Sequence, residues 1–245
     1  MAGLYSPADV FVFVDGLDIT ANNIKSLNVV NTAETDRTDG LGDSAQEHTP
    51  PGLPTCEISI DGGLWDTATA RSHAAFVSSL PTSPQASTRV VTIGFAGTTK
   101  GVPAVGATTF NTSYEVIASN DELTKANATF TMTGPLDNGT LIESSTQTAD
   151  WNTESASVDN SASSSSGGVG YQQVTAVTGF SAFVGKLRDS SDDASWADLI
   201  TFSDTGSAVG AERAEVSGTI DRYVSFAGNV TGSGSITVTA ILKRS

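Results

Sequence analysis

Two histidines and one cysteine are all that 245 residues offer to imidazole or thiol chemistry. A Ser/His/Asp hydrolase needs an imidazole beside its nucleophile. His48 lies at the Pro-rich end of a polar stretch and His73 within a run of helical periodicity. Neither sits near a nucleophile-elbow motif, so no catalysis is expected from either. Two widely separated imidazoles and one thiol also fall short of the ~4 nitrogen and sulfur ligands of a zinc site. Oxygen ligands are more plentiful: Asp36, Asp39, Asp43 and Glu47 crowd one stretch, and Asp189, Asp192 and Asp193 another. Calcium loops are oxygen-rich, but the spacing of the first cluster fits no EF-hand, and both clusters are expected as solvated acidic loops. The paired carboxylates of a glycosidase are defined by a separation in space, and no aromatic-rich cleft accompanies them here. The chain is therefore not expected to be an enzyme or to need a cofactor or metal.

The elements that position these residues are strands. Only 16% of residues are charged and 38% apolar, with Gly, Ser, Thr and Asn abundant, the composition of short strands joined by many turns. Residues 10–14 form a strand, Asp15-Gly16 a turn, and 17–20 and 24–30 further strands. TCEISI alternates as a half-buried strand does, which makes Cys56 a buried strand thiol. In WDTATARSHAAFVSSLP, Trp65, Ala68, Ser72, Phe76 and Leu80 recur at helical spacing, with Asp66 to cap and Pro81 to stop one helix. Strands resume at 89–97, 109–118 and 128–133, and 120–126 (NDELTKA) reads as a helical turn or exposed loop.

A composition shift marks a domain boundary near residue 146, giving an N-terminal domain over 1–145, a Ser/Gly-rich linker region over 146–170 and a C-terminal β-sandwich over 171–245. Six strands are expected in the last part, at 171–177, 181–187, 197–202, 213–219, 222–227 and 235–242. Trp196, just after the acidic turn DSSDD, is either core or an exposed ring able to stack on a sugar. A net charge of −15 argues against a nucleic-acid-binding surface, and no run approaches the ~20 apolar residues of a membrane span. The lack of a signal peptide and of paired cysteines fits folding in a reducing cytoplasm.

One feature resists a purely structural reading. Residues 34–55, ETDRTDGLGDSAQEHTPPGLPT, separate two good strands without hydrophobic periodicity, and loops of that length are usually functional or disordered. The ordered series FVFVDGLDIT, TDGLGDSAQEHTPPGL, CEISIDGGLWD and the helix through Phe76 resembles the tail-tube (major tail) proteins of long-tailed, non-contractile bacteriophages over roughly residues 5–140. WNTESASVDNSASSSSGGVGYQQVTAVTGF, SSDDASWADLITF and RYVSFAG are similar to the additional β-sandwich module that some of them carry.

The resemblance implies an all-β fold: a sandwich or half-barrel with one flanking helix, plus an Ig-like or jelly-roll-like sandwich. It implies a structural virion protein, assembled in the host cytoplasm, whose homohexameric rings stack axially into the tail tube. Its partners would be other copies of itself and the tail terminator, tape-measure and baseplate proteins, with no membrane. Viral DNA would pass through the lumen during ejection without specific binding, as a carboxylate-rich passage favours. The long loop would then reach the neighbouring ring, making Glu34, Asp36, Arg37, Asp39, Asp43, Glu47 and His48 the stacking contacts. Lys25, Arg37, Arg71 and Arg89 are candidates for ion pairs between subunits. The alternative is a carbohydrate-binding or adhesion protein working through the C-terminal sandwich and Trp196.

Overall fold

The computed structural model describes residues 9–20, 23–32, 36–37, 48–49, 55–67, 72–78, 80, 88–151 and 156–245. Over them the chain is all-β and antiparallel. The strands are β1 (Phe11–Val14), β2 (Leu17–Asp18), β3 (Ser26–Thr32), β4 (Asp36–Arg37), β5 (His48–Thr49), β6 (Thr55–Leu64), β7 (Arg89–Gly94), β8 (Pro103–Ser119), β9 (Glu122–Met132), β10 (Asp137–Gln147), β11 (Val158–Asp159), β12 (Gly168–Ser190), β13 (Ala197–Thr201), β14 (Gly210–Val216) and β15 (Tyr223–Arg244). One helix, α1 (Ser72–Ser78), accompanies them. A single 13-stranded sheet holds every strand except β4 and β5, which pair with each other.

The Asp15-Gly16 turn joins β1 to β2 with φ of 49° and 79°, the two left-handed residues that a tight hairpin turn requires. β8 then makes a two-layered N-terminal body. Its first half pairs with β7 and β10, and from Thr109 onward it pairs with β9, so it passes from one layer into the other. Between β1 and β7 on one side and β6 and β9 on the other lie Val12, Val14, Ile58, Ile60, Val91, Ile93, Ala128 and Phe130. Cys56 is buried in this core, and burial pushes its thiol pKa up. The α1 side chain Phe76 packs on Phe130 and Tyr114, and buried Asn111 Nδ2 donates to the Phe76 carbonyl at 2.9 Å.

Helix α1 is shorter than its periodicity predicts. Pairing of β6 with β9 continues through Leu64 opposite Lys125, and Trp65 N–H donates to Thr124 O, so the sheet claims the residues expected to open the helix. Asp66 precedes α1 by several residues and meets it through its carbonyl, which accepts from His73 N–H at 3.1 Å. Residues 120–126 also depart from expectation. They hold neither helical turn nor loop beyond the turn between β8 and β9, since Ser119 already pairs with Glu122.

In the C-terminal half, each long strand replaces two shorter ones. β12 and β15 pair from Gly168 opposite Arg244 to Ser190 opposite Tyr223. They bend together at irregularities between Val174 and Ala182, where Gly179 and Gly232 have φ of 78° and 105°. β14 extends the first half of β12 and β13 the second. The two halves face each other across Val174, Phe183, Leu187, Ile200, Phe226 and Val238. Residues 146–170, expected as a linker region, contain the end of β10, β11, the start of β12 and Trp151, which is buried and stacked on Phe183.

β10 pairs with β8 on one side and β15 on the other, so one sheet runs through both halves. Its other face carries a third cluster of Phe11, Phe13, Ala104, Leu141, Val169, Tyr171 and Ile241. The sheet curls until the β1–β2 turn meets β12, where Gly16 N–H donates to Gln173 Oε1 at 2.7 Å. Asp137, 1% exposed, is the polar centre of this junction. It accepts Tyr171 O–H and a 2.9 Å bond from Lys243 Nζ, while Arg213 Nε donates to the Tyr171 oxygen at 3.1 Å. Burial, then the Asp137 carboxylate, pushes the Tyr171 phenol pKa well up, so it stays a donor at neutral pH.

Candidate assembly surface

Of the residues expected to make stacking contacts, Glu34, Asp39, Asp43 and Glu47 lie outside the described residues, as does Arg71. Asp36 and Arg37 form β4 and His48 begins β5. Arg37 is opposite His48 and Asp36 opposite Thr49, so these three share one small ladder. Thr32, the last residue of β3, is opposite Thr55, the first of β6. Thr32 and Thr55 therefore bracket the intervening sequence at one end of the same sheet, and β4 and β5 fall within that sequence. Arg89, a candidate for pairing between subunits, is held within the chain by Asp15 at 2.7 Å.

The second acidic cluster is engaged by its own surroundings. Asp192 accepts from Ser190 Oγ and from the N–H groups of Ala194 and Ser195, and these backbone donors hold its carboxyl down to about 2. Asp189 is 7% exposed and accepts from Asp221 N–H at 2.8 Å, and burial raises its pKa. Among the described residues, no group of three or more His, Cys, Asp or Glu is placed to hold a metal ion. Trp196 is half-buried ahead of β13, its carbonyl accepting from Arg188 Nη2.

The raised pKa of Asp189 gives a pH-dependent expectation. Above its folded pKa the carboxylate is charged in both states, and only the folded state carries the burial penalty. Asp189→Asn keeps an acceptor for Asp221 N–H and is expected to raise Tm at pH 7. The gain should disappear below the ordinary carboxylate range, where Asp189 is neutral folded and unfolded. Thermal unfolding of both proteins at pH 3 and pH 7 checks it.

Two surfaces stand out on the layer formed by β3, β6, β9 and the second half of β8. The first is the edge. Among the described residues β3 pairs only with β6, and its sequence SLNVVNT contains no charge. Edge strands are commonly protected by charge or by shortness. β13, at the far end of the sheet, has Asp198 held by Lys186 and Arg188, and β2 is two residues long with Asp18 in it. β3 has neither protection, and Val30 is 41% exposed on it.

The second is the opposite end of that layer. Beyond Tyr114 and before Ala126, β8 and β9 run on as a two-stranded ribbon with few buried residues. Val116, Ile117 and Leu123 are exposed on it, Leu123 to 72%, and the pairing is irregular between Ile117 and Ser119. Trp65, next to the ribbon through Thr124, donates Nε1–H to Tyr114 Oη at 2.9 Å, and His73 Nδ1 is 2.8 Å from the same oxygen. Trp65, Val116, Ile117 and Leu123 make up four of the seven large apolar side chains exposed among the described residues. Concentration at one end marks an interaction surface, where scattered singles would not.

Sequence reading named the long acidic excursion but missed β3 as an edge and the ribbon as an apolar end. The only signal for the ribbon was the apolar pair Val116-Ile117 beside Leu123 in a segment without a core to join.

No family model and no curated protein matches the chain. Among solved structures it is similar to a chain of the native gene transfer agent virion, at 15% identity and a TM-score of 0.43 over 55% of this chain and 98% of that one. A chain from the tail of the empty gene transfer agent particle, with C6 symmetry, matches at 14% identity and a TM-score of 0.42, again over 55% and 98%. The Dit protein of phage SPP1 matches over 96% of this chain and 99% of its own, at 12% identity and a TM-score of 0.38.

Proposed function

We propose that the chain is a structural subunit of a phage-type tail tube, with residues 1–145 polymerising into six-membered rings that stack and residues 171–245 placed outside. The observation that carries this reading is the uncharged edge of β3, which among the described residues pairs on one side only, because an unprotected edge is satisfied when another copy's strand continues the sheet. A head-to-tail contact of that kind closes into rings when its rotation allows. The order of motifs along the sequence supports the same reading. Thr32 and Thr55, paired at one end of the sheet, bracket the acidic segment 33–54, which supplies the contact from ring to ring in this reading. The acidic balance of the chain suits a passage through which DNA slides without binding. The work is assembly, with no bond made or broken.

Deleting residues 36–47 tests the reading by electron microscopy over a concentration series. The full chain is expected to give rings with a central passage and stacked tubes. The deletion should give folded subunits and rings that fail to stack. Normal tubes from the deletion would remove the excursion from the mechanism, and monomers of the full chain at every concentration would overturn the proposal.

A further inference from the structure

We infer that the outer face of the layer formed by β3, β6, β9 and the second half of β8 is the wall of the DNA passage, with Glu57, Asp61 and Glu115 as its carboxylates. The inference rests on the tail-tube reading and deepens it by naming the side chains that face the nucleic acid.

Alternation fixes which side chains share this face. Cys56, Ile58 and Ile60 of β6 and Ala128 and Phe130 of β9 are buried in the core, so Glu57, Ser59 and Asp61, with Thr129 and Thr131 beside them, point away from it. Register carries the face across all four strands. Asn28, Ser59, Thr129 and Ser113 stand side by side, and Glu115 is opposite Asn127, whose Nδ2 donates to it at 3.2 Å.

Two observations turn this face inward, and the first is bulk. The other face of the layer is covered by β1, β7 and α1, and the C-terminal half is joined to that side through β10 and the first half of β8. When copies continue the layer from the β3 edge into a closed ring, the covered side has more chain to accommodate and takes the larger circumference. The bare side is left toward the axis. The second observation is charge. Carboxylates of other strands are commonly met by cations, as Glu143 is by Lys100, Asp159 by Arg222 and Asp198 by Lys186. Glu57, Asp61 and Glu115 have no cation partner among the described residues, Glu57 accepting from Ser59 Oγ at 3.3 Å and Glu115 from the Asn127 amide. The cations bordering the face stand at its ribbon end, where Glu122 binds Lys125 and the Lys25 stem lies over Gly62. Lys and Arg grip phosphates by releasing their counterions, so a wall of hydroxyls, amides and unpaired carboxylates lets a duplex slide past.

The test is thiol labelling of the full chain in a Cys56→Ser background. Ser113→Cys, at an exposed position of the face, is treated before and after assembly with a small maleimide and with a maleimide on a polymer too bulky for the passage. The small reagent is expected to label it in both states, and labelling by the bulky one to be lost in tubes. Ser207→Cys, exposed in the C-terminal half, should react with both reagents throughout. Bulky labelling of Ser113→Cys in tubes at the rate of the free subunit would put the face outside and overturn the inference. Loss of labelling by both reagents would overturn it too, by burying the face in a contact between copies. Either result leaves the tail-tube reading standing, whereas a wild type that forms no tubes overturns both. As a second measurement, tubes of the double variant Glu57→Lys, Glu115→Lys are expected to retain nuclease-resistant DNA duplex that salt releases, where wild-type tubes retain none. No retention, or retained DNA digested as fast as free DNA, would overturn the assignment of this face.

Discussion

Asp137→Ala is expected to destabilise the fold by about 3–5 kcal/mol, the cost typical of removing one partner from a buried ion pair. Asp137 is 1% exposed and is the shared acceptor for Tyr171 O–H and Lys243, with Arg213 Nη2 at 3.5 Å. Its removal leaves two cations facing each other and a buried phenol without an acceptor. Lys243 and Arg213 keep 30% and 26% of their side-chain exposure and can turn partly toward water. Tyr171 cannot, because its ring lies against Gly106 at the centre of the junction. Tyr171→Phe should therefore cost less, about 1–2 kcal/mol, since the carboxylate keeps both cations. Urea unfolding of the two variants checks the order, and a Tyr171→Phe loss equal to that of Asp137→Ala would mean that the cations contribute nothing. The phenol adds an alkaline dependence: above its ordinary range the unfolded chain releases a proton that the folded chain retains, so stability falls as pH rises.

That cluster also shows where reading the sequence stops. Asp137, Tyr171, Arg213 and Lys243 come from four strands and no local pattern links them. The Asp15-Gly16 turn and the alternation of β6 were legible because each is fixed by neighbours in the chain: two positive φ values in one case, burial of every second residue in the other. NDELTKA was not legible. Its Glu, Leu and Lys favour helix, and only pairing with β8 makes it the start of a strand. Trp65 was misplaced for the same reason, drawn out of a helical pattern by its bond to Thr124.

The expected assembly site divides along similar lines. A polar segment between two strands is visible in sequence, and its four residues in described strands, Asp36, Arg37, His48 and Thr49, fall on one ladder. Whether a strand is an edge depends on the order of strands in the sheet, which is a property of the whole fold. SLNVVNT reads as an ordinary half-buried strand until its place beside β6 alone is known. Absence of charge on it acquires meaning only then, by contrast with Asp198 on β13 and its two cationic partners on β12.

Gly16→Ala should be the costliest single methyl group in the junction between the halves, and Gly97→Ala supplies its control. Both glycines have φ of 79°, so both substitutions carry the same left-handed penalty of roughly 1–2 kcal/mol. They differ in what a new Cβ meets. At Gly97 the nearest atoms are on Asp9 at 3.9 Å, an ordinary contact. At Gly16 the Cβ would lie 2.4 Å from Gly210 N and 2.5 Å from Val174 O, both backbone atoms of strands that cannot rotate aside. The excess over Gly97→Ala is then an overpacking cost of about 1–3 kcal/mol, which brings Gly16→Ala to about 2–5 kcal/mol in total. Relief requires the β1–β2 turn to move away from β12 and β14, which breaks the bond from Gly16 N–H to Gln173 Oε1. Gln173 is buried and also donates to Val90 O and Thr92 Oγ1, so the displacement passes into β7. Faster hydrogen exchange along β7 and β14 in Gly16→Ala, with Gly97→Ala unchanged there, is the accompanying signature. Equal losses of stability in the two variants would show that the halves are not held together at this turn.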